Sequence, residues 1–171
     1  MLATMSDTSG RRFLACHLPH PFPSEDDIAW NVYLKEGHLD KADDVSPGDV
    51  VLFFVTATDH PKCRKKVDGA WQEVRLTHGG GVQYIGYVAV GNEIPRKRED
   101  PPQYDYEGDG DIEADTWTHE IVCEKQDRTR VVDLATLKAR LGFSKSPYLW
   151  HGLFEIEDVE AFDKLVEELT A

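Results

Sequence analysis

Two tryptophans are each followed by a polar side chain that could read a nucleotide base: Trp30-Asn31 and Trp150-His151. An indole is a flat surface for a base, and such stacking is worth about 1–3 kcal/mol per base. The Asn31 amide can read a base edge, and His151 adds a further donor and acceptor. Core packing is the competing interpretation of each tryptophan. Trp150, which follows a Pro-Tyr break, is therefore either a wall of a site or the plug of a core.

The patterns of known catalytic and metal sites are weak in this chain. It has no G-x-S-x-G nucleophile elbow, no G-x-x-x-x-G-K-[ST] phosphate loop and no G-x-G-x-x-G after a strand. His17 and His20 are spaced like two metal ligands, but no third ligand is evident. Cys16, Cys63 and Cys123 are dispersed, and a Cys-His nucleophile stays open because its partners would meet only in the fold. We predict no catalytic residue, no metal and no cofactor.

Charge restricts the kind of nucleic-acid contact that this protein can make. The formal net charge of −13 argues against non-specific coating of nucleic acid, which depends on neutralising many phosphates. Two basic clusters stand out against this background, at Lys62–Lys66 and at Arg96–Arg98. They are either a local phosphate path or solubilising loop tips, and the sequence does not separate the two.

The elements that must position these residues are mostly short strands. Trp30, Val32 and Leu34 alternate with Asn31 and Tyr33, which predicts a half-buried strand. The run Val50–Val55 is continuously apolar, as in a strand that is buried on both faces, and Asp68-Gly69 is a strong hairpin signal. Including these, we expect strands at residues 13–17, 28–34, 50–55, 65–67, 70–76, 82–90 and 117–125.

Two helices follow the strands. The first runs from the N-cap Asp133 to Gly142, and the second carries inward-facing apolar residues at Val159, Phe162, Leu165, Val166 and Leu169. Strands followed by helices favour an α+β fold, and the bends between the strands favour a small, partly closed, mixed or antiparallel β-barrel.

The chain is expected to form one domain. We predict a disordered start at residues 1–12, a single domain at residues 13–171, and within it a mobile acidic loop at residues 99–115, which holds eight acids and no bases. No apolar run is long enough to span a bilayer, and the scattered cysteines are typical of a reducing compartment. The expected location is therefore the cytoplasm.

In this order, the elements resemble the EVE domains of the PUA-like superfamily, with ASCH domains as near relatives. The resemblance rests on four phrases: VSPGDVVLFFV, in which a Gly-Asp turn enters a buried aromatic strand; GGVQYIGYVAVGNEI, the next strand; VVDLATLKARLGF, a Leu-rich helix; and SPYLWHGLFEIEDVEAFDKLVEEL, the closing segment. It implies a PUA-like pseudobarrel flanked by helices, with a pocket that holds a modified base of DNA or RNA.

The resemblance also implies roles for particular residues. Trp30 and Trp150 would be the walls of the pocket, Asn31 and His151 would read the base edge, and Phe54 would form the floor. The expected function is a non-catalytic, modified-base-binding module. Two alternatives stay open: a small nucleotide- or nucleic-acid-processing enzyme of the ASCH type, and an acidic protein-interaction domain.

Overall fold

The computed structural model describes residues 10–17, 31–56, 62–75, 80–99, 104–105 and 117–171. Residues 1–9, Trp30 with the first half of its predicted strand, and most of the predicted acidic loop lie outside these ranges. The strands are β1 (Arg12–His17), β2 (Val32–Leu34), β3 (Val50–Val55), β4 (Lys62–Val67), β5 (Ala70–Arg75), β6 (Gly81–Val88), β7 (Arg96–Lys97), β8 (Tyr104–Asp105), β9 (His119–Ile121), β10 (Cys123–Asp133) and β11 (Leu153–Glu155). The helices are α1 (Leu134–Leu141) and α2 (Val159–Thr170), with 3-10 segments at Glu36–Ala42 and Pro147–Leu149.

The described strands form three sheets. The largest has the order β10-β6-β3-β1-β11, in which β1 and β3 run parallel and the other neighbours are antiparallel. The second sheet is β2-β9-β7 and the third is β5-β4-β8. The α+β class is thus confirmed, while none of the three sheets closes into a barrel among the described residues.

The five-stranded sheet is buried on both faces, as the apolar run in β3 predicted. Val51, Phe53 and Val55 belong to a first core cluster, which also contains Val32 and Ile121 of the second sheet. The alternate residues of β3 belong to a second cluster, in which α1 and α2 cover the opposite face. Because successive strand residues point to opposite faces, an unbroken apolar run serves both clusters.

Local signals place the turns and helix ends. Asp68 and Gly69 have positive φ values of 50° and 81°, as the predicted hairpin between β4 and β5 requires. The side chain of Asp133 accepts a hydrogen bond from the Thr136 backbone N–H at the start of α1, and Gly142 ends that helix in a left-handed conformation.

Two predictions about elements need correction. Val159, predicted to face inward, is 37% exposed because it lies in the first turn of α2, beyond the edge of the core. The strand predicted to start at Phe13 starts at Arg12, which is only 1% exposed and donates to both carboxylate oxygens of Asp163 on α2. Within the range of the predicted acidic loop, the described residues Tyr104 and Asp105 form β8, which pairs with β4. Apart from Glu99, the rest of the loop predicted over residues 99–115 lies outside the described residues.

Candidate nucleic-acid interface

Trp150 and Phe54 lie in the second core cluster. Trp150 has no exposed surface, and its ring packs against Phe54 at 5.7 Å, Phe143 at 5.9 Å and Phe154 at 5.9 Å between ring centres. Phe54 is only 5% exposed. Neither ring offers a face on which a base could stack in this structure. Trp150 is thus a core residue. Trp30, which was expected to form the opposite wall of the pocket, lies outside the described residues.

Asn31 joins two strands from a buried position. Its Oδ1 accepts a hydrogen bond from the Cys123 backbone N–H at 3.0 Å, and its Nδ2 donates to Glu120 Oε1 at 3.3 Å. Both ends of the amide are therefore engaged within the protein, and Asn31 is 9% exposed. Its side chain therefore has a structural role: it holds β2 against the junction of β9 and β10.

His151 lies at the surface, as a site residue should. Its backbone φ of 52° is left-handed, and its ring stacks on His38 with centres 3.9 Å apart and planes at 12°. Desolvation lowers the pKa of His151, and the nearby charges of His38, Lys41, Lys145 and Lys35 lower it further. Several basic side chains thus lie near His151, on a chain whose formal net charge is −13.

A row of three side chains crosses the second sheet. Tyr33 of β2 lies opposite Glu120 of β9, and Glu120 lies opposite Arg96 of β7. The alternate residues Val32 and Ile121 point into the first core cluster, so the row lies on the other face of the sheet. Arg96 Nε donates to Glu120 Oε2 at 2.9 Å.

Arg98 extends this row by stacking on Tyr33. Its guanidinium carbon lies 4.0 Å from the centre of the Tyr33 ring, and its side chain is only 7% exposed. Arg98 Nη1 also donates to the backbone oxygen of Trp117 at 3.2 Å. The stack therefore determines where the chain enters β9, and with it the position of Trp117.

Trp117 connects the row to the histidine pair. Lys35 Nζ lies 5.0 Å from the centre of the Trp117 ring. Gly152 also packs closely against this region: a Cβ there would lie 3.7 Å from Trp117 Cζ3 and 2.6 Å from the Tyr33 backbone oxygen. Because Gly152 directly follows His151, Trp117 lies near the histidine pair as well as near Lys35. We call this set of neighbouring side chains the aromatic–cationic surface; its members are Tyr33, Lys35, His38, Arg98, Trp117 and His151.

Two depressions adjoin this surface. One, of about 230 Å³, is lined by Arg96, Lys97, Glu99 and Glu120 at the edge of the second sheet. The other, of about 280 Å³, lies beside the histidine pair; its lining includes Lys41 and Lys145 together with Phe154 and several acids. The walls of both depressions mix acids with bases: two of each line the first, and three acids and two bases line the second.

The described part of the chain offers little for nucleophilic or metal chemistry. Burial raises the pKa of the Cys16 thiol to about 11 and that of Cys123 to about 12, so neither is a thiolate at neutral pH. His119 shares a hydrogen bond with Thr118 rather than with a carboxylate. Within the same residues, no three His, Cys, Asp or Glu side chains are grouped to hold a metal ion.

No protein-family model matches this chain, and no curated protein matches it either. Among the described residues, no helix has the length and apolar character needed to cross a membrane.

Sequence reasoning found His151 but missed the other members of the aromatic–cationic surface as site residues. Two signals pointed to them. Tyr33 was predicted on the face of its strand opposite Val32, and Arg98 belongs to the second basic cluster. Neither signal shows that the two residues touch, because Tyr33 lies in β2 and Arg98 directly follows β7, and they meet only when the second sheet forms.

Proposed function

We propose that this protein is a non-catalytic nucleic-acid-binding module that holds one unpaired base on the aromatic–cationic surface. The observation that carries the proposal is the pairing of cations with aromatic rings there: Lys35 with Trp117 at the surface, and Arg98 with Tyr33 as the support behind them. Nucleic acid alternates flat bases with phosphates. A surface that alternates flat rings with cations is complementary to it.

Trp117 takes the stacking role that the sequence suggested for Trp150. Its side chain is partly exposed, whereas Tyr33 is already covered by Arg98 on one side and contacts His17, with ring centres 5.1 Å apart. Lys35 is exposed and flexible, so a base can replace it over the indole while its ammonium moves to an adjacent phosphate. Tyr33 and Arg98 then act as the support that holds Trp117 in place.

The phosphates would be bound around the histidine pair. Lys35, Lys41 and Lys145 lie close enough to His151 to affect its pKa. Asp40, Asp44 and Glu155 line the adjoining depression with Lys41 and Lys145. A phosphate would therefore be bound by direct contact with individual lysines, because exposed charges act only over about 8–10 Å at physiological salt. This is compatible with binding a short stretch of nucleic acid and not with coating a long one.

Two finer features of the proposal come from the resemblance to EVE domains. One is that the base carries a modification, and the other is that the strands belong to a PUA-like pseudobarrel. The charged depression beside Glu120 is where additional atoms on a base could be accommodated. Glu120 is held by Arg96 and Asn31, which makes it a rigid hydrogen-bond acceptor at the edge of that depression.

The test is a titration of labelled single-stranded oligonucleotides, with and without modified bases, at low salt. Trp117→Ala is expected to weaken binding about 10–100-fold, the loss of one stacked base. Trp117→Phe should retain much of the affinity, since it keeps a flat ring. Val131→Ala is the control, because Val131 is 66% exposed on β10 and is not a member of the aromatic–cationic surface.

Equal binding by the wild type and Trp117→Ala would contradict the proposal. If no oligonucleotide binds the wild type, the acidic protein-interaction alternative gains support. If an oligonucleotide or nucleotide is chemically altered during the titration, the enzyme alternative replaces the binding module.

A further inference from the structure

The hairpin of β4 and β5 combines a basic face with an exposed tryptophan. In its register, Arg64 lies opposite Glu73 and Lys66 lies opposite Trp71. Directly opposed residues share a face of an antiparallel pair, and so do residues two apart along one strand. Arg64, Lys66, Trp71 and Glu73 therefore form one face of the ribbon.

Trp71 is held on that face by cations and not by a core. It is 39% exposed, with the Arg64 guanidinium carbon 5.7 Å and the Lys66 ammonium nitrogen 5.9 Å from its ring centre. Arg64 and Lys66 are themselves exposed. A large indole kept at the surface beside two exposed cations can stack on an unpaired base without any repacking of the core.

The charge of the hairpin is opposite to that of the chain. Residues 62–75 contain five basic and two acidic side chains, a formal charge of +3, on a protein of formal net charge −13. The third strand of this sheet, β8, pairs with β4. A third strand supports a ribbon that would be only marginally stable as an isolated hairpin. Arg64 and Lys66 are thus presented by a preformed element, in which Asp105 of β8 lies opposite Arg64.

We propose that this hairpin is a second nucleic-acid contact, at which Arg64 and Lys66 bind successive phosphates of a single strand and Trp71 stacks on an unpaired base. The inference rests on the proposed function for the class of ligand, but it concerns a different surface. Alternate residues of a strand are about 7 Å apart, a spacing similar to that of neighbouring phosphates along an extended nucleic-acid strand. An acidic peptide would match the cations but not the indole, so nucleic acid fits better.

The experiment measures the binding of a labelled 20-residue oligothymidylate at several salt concentrations. Removing two phosphate contacts with R64Q/K66Q should reduce the slope of log affinity against log salt by about 1.4, because each contact to a single strand contributes about 0.7. Trp71→Ala should weaken binding about 10-fold or more at every salt concentration, and Trp71→Phe should restore part of it.

The matched control is R130Q/K164Q, which removes one arginine and one lysine from exposed positions on β10 and α2. It changes the net charge by the same amount and should leave the slope as in the wild type. Urea unfolding midpoints of all variants should agree with that of the wild type, since every substituted side chain is exposed.

Three results would overturn the inference: an unchanged slope in R64Q/K66Q, an equal change in R130Q/K164Q, or no binding of oligothymidylate by the wild type. A fourth is competition by polyglutamate as effective as that by unlabelled oligothymidylate, which would assign the hairpin to an acidic protein partner. The Trp117→Ala variant separates the two proposals. If Trp117→Ala binds normally and R64Q/K66Q does not, the proposal for the aromatic–cationic surface is wrong and the proposal for the hairpin is supported. If R64Q/K66Q binds normally and Trp117→Ala does not, only the proposal for the hairpin is wrong.

Discussion

The guanidinium carbon of Arg98 lies 4.0 Å from the centre of the Tyr33 ring, and this contact joins the first and third strands of the second sheet across β9. Arg98 follows directly on β7, and Tyr33 lies in β2. A cation over a ring is worth up to about 2 kcal/mol when the pair is shielded from water, and the Arg98 side chain is only 7% exposed. The stack is thus both a stabilising contact and the support of the proposed binding surface.

Replacing Arg98 by alanine should therefore affect stability and binding together. We expect the free energy of unfolding, measured in urea, to fall by about 1–3 kcal/mol, from the lost stack and the lost hydrogen bond to Trp117. Arg98→Lys should not restore it, since an ammonium cannot reproduce the planar, multidentate contacts of a guanidinium. Lys97→Ala is the control, and an equal loss there would contradict this role of Arg98.

Trp150 should be needed for folding and not for stacking. Trp150→Ala should reduce the free energy of unfolding by about 3–5 kcal/mol, because a fully buried indole leaves a large cavity. Trp150→Phe should cost less, partly because it removes an indole N–H that is buried without an acceptor among the described residues. Leu149→Ala, at a neighbouring position that is 53% exposed, should change stability by less than about 0.5 kcal/mol. If Trp150→Ala is as stable as the wild type but no longer binds oligonucleotides, Trp150 is a binding residue and not only a core residue.

Gly152 and Gly142 allow a matched comparison of backbone strain with steric clash. Both have positive φ, 98° and 72°, but a Cβ at Gly142 would meet nothing within 4 Å. Gly142→Ala should cost about 1 kcal/mol in unfolding free energy, from conformation alone. Gly152→Ala should cost clearly more, because its Cβ would lie 2.6 Å from the backbone oxygen of Tyr33. It should also weaken oligonucleotide binding, and equal costs at the two glycines would contradict the tight packing of this turn.

The histidine pair predicts a pH dependence of binding. Desolvation and neighbouring positive charges lower the pKa of His151, so His151 is neutral at pH 7 in the free protein. A bound phosphate would raise that pKa, and binding would then take up a proton. Affinity for an oligonucleotide should therefore increase as the pH falls below about 6.5, and His151→Gln should flatten this increase. A pH profile that is identical in the variant and the wild type would exclude this role of His151.

The same pKa shift has the opposite effect on the stability of the free protein. In the unfolded chain, His151 binds its proton near pH 6.5, whereas in the folded chain it binds only at lower pH. The unfolded state is therefore stabilised first on acidification, and the free energy of unfolding should fall as the pH drops through this window. His151→Gln should remove this component, which urea unfolding at pH 7 and pH 5 would measure.

Several features of this protein could be predicted from local sequence. The alternating or continuous apolar runs specified the strands, the Asp68-Gly69 pair specified a hairpin, and Asp133 and Gly142 specified the ends of a helix. These predictions succeeded because each depends on the backbone preferences of a few neighbouring residues or on the periodicity of one element. The basic cluster at Lys62–Lys66 was likewise visible in the otherwise acidic sequence, but the sequence did not show whether it binds phosphates.

Which aromatic residues fill the core and which remain accessible was decided only by the tertiary structure. The local sequence around Trp150 suits the wall of a site as well as a core residue. Phe143 and Phe154 lie close to Trp150 in the sequence, but its enclosure also depends on Phe54, which comes from β3. Likewise, Tyr33, Glu120 and Arg96 form a row only because three strands align in one register. Whether a side chain is buried depends on which strand and helix faces pack against each other, and the local sequence does not determine that packing.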